Sequence, residues 1–94
     1  MSKPNIDFVM GMTKGFLEGK SDAMDYSLDF AYEVEKRYTK MLQEDLEISE
    51  LINEYLVAEG VSYYSTLSNK AFLTKIEENY KYVQDTITQA IILK

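Results

Sequence analysis

The sequence predicts an all-α fold, a single-domain antiparallel four-helix bundle over residues 1–94. Three observations carry that expectation. Apolar residues recur at steps of three and four in four separate stretches, the spacing that gathers them on one side of a helix. No stretch alternates apolar and polar residues as a half-buried strand does, and the one proline, Pro4, stands ahead of the first periodic stretch. The links between stretches are short, and short links turn a chain back on itself. The 94 residues make one domain with a modest core, burying roughly 60–65% of the unfolded chain's surface.

After a short loose end from Met1 to Pro4, Asn5 or Asp7 starts the first helix, in which Ile6, Val9, Met12, Phe16 and Leu17 share a side with Phe8 alongside. Gly11 and Gly15 each cost about 1 kcal/mol against alanine inside a helix, and a close helix crossing is one reason to carry them. Gly19 suits the left-handed position past the helix end, and Ser21 or Asp22 caps the next helix. That second helix is expected from about Ser21 to Leu42. Met24, Ser27, Leu28, Phe30, Ala31, Val34, Tyr38 and Met41 fall on its core side, while Asp22, Asp25, Asp29 and Glu33 fall opposite. Its acids come early and Lys36, Arg37 and Lys40 late, the order a helix dipole favours.

Glu44 and Asp45 form an acidic link, with Asp45 the cap of a third helix expected over Leu46 to Ala58. Ile48, Leu51, Ile52, Tyr55 and Leu56 share its apolar side, and Glu47, Glu50 and Glu54 share another. Gly60 is the expected stop. Residues 61–68 mix β-branched, aromatic and hydroxyl side chains, and suit an irregular connection better than a continued helix. Thr66 or Ser68 then caps a long fourth helix in which Phe72, Ile76, Tyr80, Val83, Ile87, Ala90 and Ile91 keep helical spacing.

Charge and composition exclude much. The chain has no cysteine and no histidine, so it lacks disulfides, thiolate metal sites and the commonest general base. There is no EF-hand loop, no phosphate-cradling glycine loop and no nucleophile paired with a base. The expectation is a protein that is not an enzyme and needs neither cofactor nor metal. The amino terminus carries Lys3 before Pro4 and no run of 18 apolar residues occurs, so neither a signal peptide nor a membrane span is expected and the default location is cytoplasmic. The net charge of −6 is concentrated: residues 18–59 hold twelve acids against four bases. Such a field disfavours direct contact with nucleic acid or an anionic membrane and favours a basic protein partner.

Two acidic stripes are the polar constellations. Asp22, Asp25, Asp29 and Glu33 sit near the positive end of their helix, and read as a solvated face or a secondary acidic surface. Glu47, Glu50 and Glu54 have no lysine in their helix to offset them, and like charges at such spacing repel by a few tenths of a kcal/mol per pair. At α-helical spacing Glu59 falls with Ile48, Ile52 and Tyr55 on the apolar side, at a helix end where the dipole disfavours an acid. Either the helix has already ended there or the carboxylate serves a binding site. Tyr63 and Tyr64 stand nearby, and offer that site flat aromatic area or simply close the bundle.

The run Phe16-Leu17-x-Gly19-Lys20-x-x-Ala23-x-Asp25-Tyr26-Ser27 resembles the helix-turn-helix opening of the colicin D-like immunity proteins, a family also found beside contact-dependent growth inhibition toxins. Tyr55-Leu56-Val57-Ala58-Glu59 resembles the end of that family's third helix, and Leu67 to Ile76 the capped start of its last. The chain departs from the pattern at Asp22, where a hydroxyl cap is usual, and at the glycine after Glu59. The resemblance implies a bacterial helical bundle that binds the C-terminal nuclease domain of a cognate toxin, often a tRNA-cleaving ribonuclease, one to one. It implies a bacteriocin-immunity mechanism in which acidic side chains cover the toxin's basic cleft, with Glu59 matching a toxin-facing acid. The toxin-binding residues expected are then Glu47, Glu50, Glu54, Glu59, Tyr63 and Tyr64. The alternative from another class is an acidic helical adaptor, antitoxin or phage-type nucleic-acid mimic that inhibits a different basic partner; a structural bundle with no dedicated partner is the third.

Overall fold

The computed structural model describes residues 2–92, with side chains through Ala90. Every element in it is helical. In chain order these are α1 (Pro4–Leu17), α2 (Ala23–Glu44), α3 (Leu46–Ile52) running on as a π-helical segment (Asn53–Ala58), a 3₁₀ turn (Val61–Tyr63) and α4 (Asn69–Ile92). Among the described residues there is no strand, and no helix is long and apolar enough to cross a membrane.

Local chemistry sets most boundaries. Pro4 occupies the first turn of α1, where its missing N–H is no loss. Neither Asn5 nor Asp7 caps that helix, contrary to expectation; the Glu44 carboxylate from the far end of α2 accepts from the Asn5 and Ile6 amides instead. Gly19 adopts a φ of +83°, the left-handed turn foreseen for it. Of the two candidate caps for α2 it is Asp22 that accepts from the Asp25 amide at 2.8 Å, so the helix begins and ends two residues later than its pattern suggests. Asp45 caps α3 through the Ile48 amide at 3.1 Å, and Ser68 caps α4 through Ala71.

The core is a stack of rings wedged between aliphatic residues. Phe16 lies flat on Tyr26 with centroids 4.5 Å apart, Tyr26 tilts onto Phe30 at 5.2 Å, and Phe16 reaches Phe72 of α4 at 5.7 Å. Burying each such side chain contributes on the order of 1.5–3 kcal/mol. Because Tyr26 takes the centre of the α2 face, with its hydroxyl 2.7 Å from that of buried Thr13, the whole face is turned toward α1. Met24 and Leu28, expected in the core, are therefore pushed to its margin and are 52% and 67% exposed. In α1 the buried set is Ile6, Val9, Met10, Thr13 and Phe16, and Phe8 lies outside under the Arg37 guanidinium at 3.7 Å from its ring centroid. Phe72, Ile76 and Val83 of α4 are buried as their spacing predicts; Ala90 is exposed, and the side chain of Ile91 lies outside the described set.

Two glycine expectations change, and a third is met by different means. A methyl group at Gly11 would meet nothing within 4 Å, and one at Gly15 would meet only the Lys20 side chain at 3.9 Å, so neither serves a close helix crossing. Gly60 does end its helix, but at φ −128° and not in the left-handed region. Its role is space: a Cβ there would run into the Leu56 carbonyl group, with its carbon at 2.7 Å.

Candidate acidic interface

The third helix does not stay an α-helix to Ala58, and this decides where Glu59 points. At about 100° per residue Glu59 would fall about 120° from Glu47, among Ile48, Ile52 and Tyr55. Over Asn53–Ala58 the winding is i→i+5, about 80° per residue, and this brings Glu59 back by roughly 100° to the side of Glu47 and Glu54. The backbone states the same thing directly. The Glu59 amide donates to the Glu54 carbonyl at 2.8 Å, so the two acids sit one wide turn apart on one face. Glu59 is exposed and off the apolar side, which corrects the placement from regular spacing, and it stands just past the last helical residue, Ala58, so the helix has already ended there.

A side chain from α4 holds this winding. With the Glu59 amide given to Glu54, the Tyr55 carbonyl loses the partner an α-helix would supply. Asn79 takes it: its amide nitrogen donates to the Tyr55 carbonyl at 2.8 Å and to the Glu59 carbonyl at 2.9 Å. One amide thus satisfies two main-chain acceptors that would otherwise depend on water.

Glu47, Glu50 and Glu54 are all exposed, and none makes an ion pair or a side-chain hydrogen bond among the described residues. Their mutual repulsion is therefore not relieved within the fold. Tyr55 packs against Tyr82 of α4 with centroids 4.8 Å apart, and its phenol is held above the ordinary value by Tyr82 first, then by Glu54, burial and Glu59. Burial and then the Glu50 charge raise Tyr38 in the same direction. The carboxylates of the row thus add to both shifts, behind Tyr82 at Tyr55 and behind burial at Tyr38.

The two tyrosines expected beside Glu59 part company. Tyr63 donates to the Glu59 carboxylate at 3.3 Å and carries the Lys75 ammonium over its ring at 4.8 Å. It stays at the surface next to the acid row. Tyr64 is half-buried, its ring edge-on to Phe72 at 5.7 Å, and closes the core at that end. The secondary stripe also divides. Asp25 and Asp29 are exposed and Asp22 is the cap of α2, but Glu33 is paired with Arg37 at 3.0 Å and turned toward α1.

Asn79 and Tyr82 had no motif to announce them. They stand among exposed α4 positions, and only the departure of residues 53–58 from α winding gives Asn79 its partners. No family model, no curated protein and no solved structure matches this chain.

Proposed function

We propose that this protein is an immunity protein: it binds the basic active-site cleft of a cognate bacterial toxin domain, a tRNA-cleaving ribonuclease by resemblance, and occludes it. The observation that carries the reading is the exposed row Glu47, Glu50, Glu54 and Glu59, which makes no ion pair among the described residues and which Glu59 joins because residues 53–58 are wound as a π-helix. A nuclease grips phosphates with lysine and arginine, and a row of carboxylates competes for those groups through charge-assisted bonds. Tyr63, already bonded to Glu59, adds aromatic area to the contact. The partner meets the row one to one in the bacterial cytoplasm, without cofactor, membrane or nucleic acid.

The finer architecture belongs to the same proposal. We take the helices to form an antiparallel bundle, supported by the single-residue link at Asp45 and by the meeting of the first turn of α1 with the last residue of α2.

The test is a pull-down from the host with this protein as bait, eluted by a salt step and identified by mass, followed by titration of the recovered domain. Recovery of a basic nuclease whose activity is inhibited, and whose affinity falls by several kcal/mol in the Glu54→Lys/Glu59→Lys variant, supports the proposal. Recovery of a transcription or defence factor through the same carboxylates supports an acidic mimic instead. Unchanged affinity in the charge-reversed variant overturns the site.

A further inference from the structure

Beside the acid row runs an apolar groove that none of the described residues covers. Its floor and walls come from α2 on one side and from the π-helical segment and the 3₁₀ turn on the other, in two adjoining hollows of about 400 and 510 Å³ that share Ala31 and Val57. Met24 and Leu28 form its outer ridge, both more than half exposed. Ser27 lies in the floor, buried, its hydroxyl without a hydrogen-bond partner among the described residues. From Met24 to Thr39 the groove follows α2 for ~22 Å, about four turns of a helix laid alongside it.

The charges around the groove select its occupant. Neither hollow has a lysine or arginine in its wall; the one charged wall residue is Glu35. Glu50 adds its field at Tyr38, which lines the same end; Asp25 is exposed beside the Leu28 ridge, and Lys36 on that side of α2 lies over the Tyr32 ring at 5.9 Å, so the acids Glu35, Glu50 and Asp25 outnumber it. A second copy of this chain would bring like charge against like, since residues 18–59 carry twelve acids and four bases. A segment with an apolar stripe flanked by lysine and arginine matches both the hollow and its rim.

We infer that this groove seats a basic amphipathic helix of the same partner whose cleft the acid row covers, the apolar side chains entering at Leu28, Ala31 and Val57. The inference rests on the proposed function for the identity of the partner, but names a separate contact. The row supplies salt-sensitive steering, and the groove supplies anchors that salt does not screen.

Two synthetic 18-residue peptides of equal positive charge serve as probes, one an amphipathic helix of leucine and lysine, the other of serine and lysine, each titrated by fluorescence anisotropy at low and high salt. The leucine peptide is expected to bind at least about tenfold tighter, to keep that advantage at high salt, and to shift amide resonances of Ser27, Leu28, Ala31, Val57 and Val61. Leu28→Ser, at an exposed position where the fold is not at stake, removes most of the advantage; Glu54→Lys/Glu59→Lys weakens both peptides together and leaves their ratio. Equal affinities, or shifts confined to other faces, overturn the groove. So does a concentration-dependent dimer that Leu28→Ser dissociates, which would assign the face to self-association. Failure of the acid row is a different result: both affinities unchanged by charge reversal while the leucine preference persists.

Discussion

The Glu44 carboxylate at the end of α2 caps the first turn of α1, accepting from the Asn5 amide at 3.1 Å, the Ile6 amide at 3.0 Å and the Asn5 side chain at 2.6 Å. An anion at a helix N-terminus is favoured by the free N–H groups and by the dipole, and here it comes from another helix. Around it, Lys3 pairs with Asp45 at 3.2 Å and Arg37 donates to the Asn5 carbonyl oxygen of its side chain at 3.0 Å. The contact fastens the start of the chain to the α2–α3 corner.

Desolvation alone would raise the Glu44 carboxyl, but the bonds from Ile6 and Asn5 outweigh it and hold it below its ordinary 4.5. A depressed carboxyl stabilises the fold fully above its unfolded value, and that contribution is lost as pH falls through the folded one. Its bonds to Asn5 and Ile6 make Glu44→Ala destabilising at pH 7 by about 0.5–1 kcal/mol, the low end for a helix cap because the carboxylate is only partly buried and is screened by water, and the gap from the parent chain should narrow below pH 4.5. Urea midpoints at pH 7 and in acid measure it; a gap indifferent to pH would refute the assignment.

Asn79→Leu removes the amide that serves the Tyr55 and Glu59 carbonyls, at an expected cost of about 1–3 kcal/mol. It should also let the segment return to α winding. The readout is the scalar coupling across the hydrogen bond from the Glu59 amide, to the Glu54 carbonyl in the parent and to the Tyr55 carbonyl in the variant. A destabilised variant that keeps the Glu54 coupling would show that Asn79 does not set the winding.

How far the sequence discloses this molecule can be judged at particular residues. Gly19, Asp22, Asp45 and Ser68 are legible because turns and caps depend on chemistry within a few positions. Glu44 is not: its partners are 38 and 39 residues away, and locally it reads only as part of an acidic link. Met24 and Leu28 mislead because a broad apolar arc does not reveal which part a neighbour will cover; here Tyr26, bonded to Thr13 and stacked on Phe16, takes the part that α1 covers. Glu59 is the instructive case. Regular spacing put it on the apolar side in conflict with its charge, and that conflict was itself the trace of a winding that periodicity assumes away.

The glycines separate by sign. Gly11→Ala, in an exposed helical position with nothing within 4 Å, should stabilise by about 0.5–1 kcal/mol. Gly60→Ala should destabilise by about 1–3 kcal/mol, since the new carbon is forced against backbone of Leu56 that cannot swing aside. Thermal or urea unfolding of the two variants side by side tests both, and two shifts of the same sign would contradict the packing described at one of them.

Thr13 and Tyr26 are the last pair to argue, because they are buried polar groups whose loss should not add. Their hydroxyls are 2.7 Å apart, and among the described residues the other bond of the Thr13 hydroxyl is to the Val9 carbonyl at 3.5 Å. Burial pushes the Tyr26 hydroxyl far above its ordinary 10.0, with the Thr13 bond acting the other way, so it stays protonated through the range in which the fold is studied. Thr13→Val keeps the shape but strands a buried phenol, at an expected cost of about 1–3 kcal/mol; Tyr26→Phe leaves the Thr13 hydroxyl only its long bond to the Val9 carbonyl, at about 1 kcal/mol. The double variant leaves neither group without a partner, and should lie closer to the parent than the sum of the two losses requires. A double-mutant cycle by urea unfolding decides it: a deficit well below additivity supports a bond that orients Tyr26 on Phe16, whereas strict additivity would mean that ring packing alone turns the α2 face and exposes Leu28.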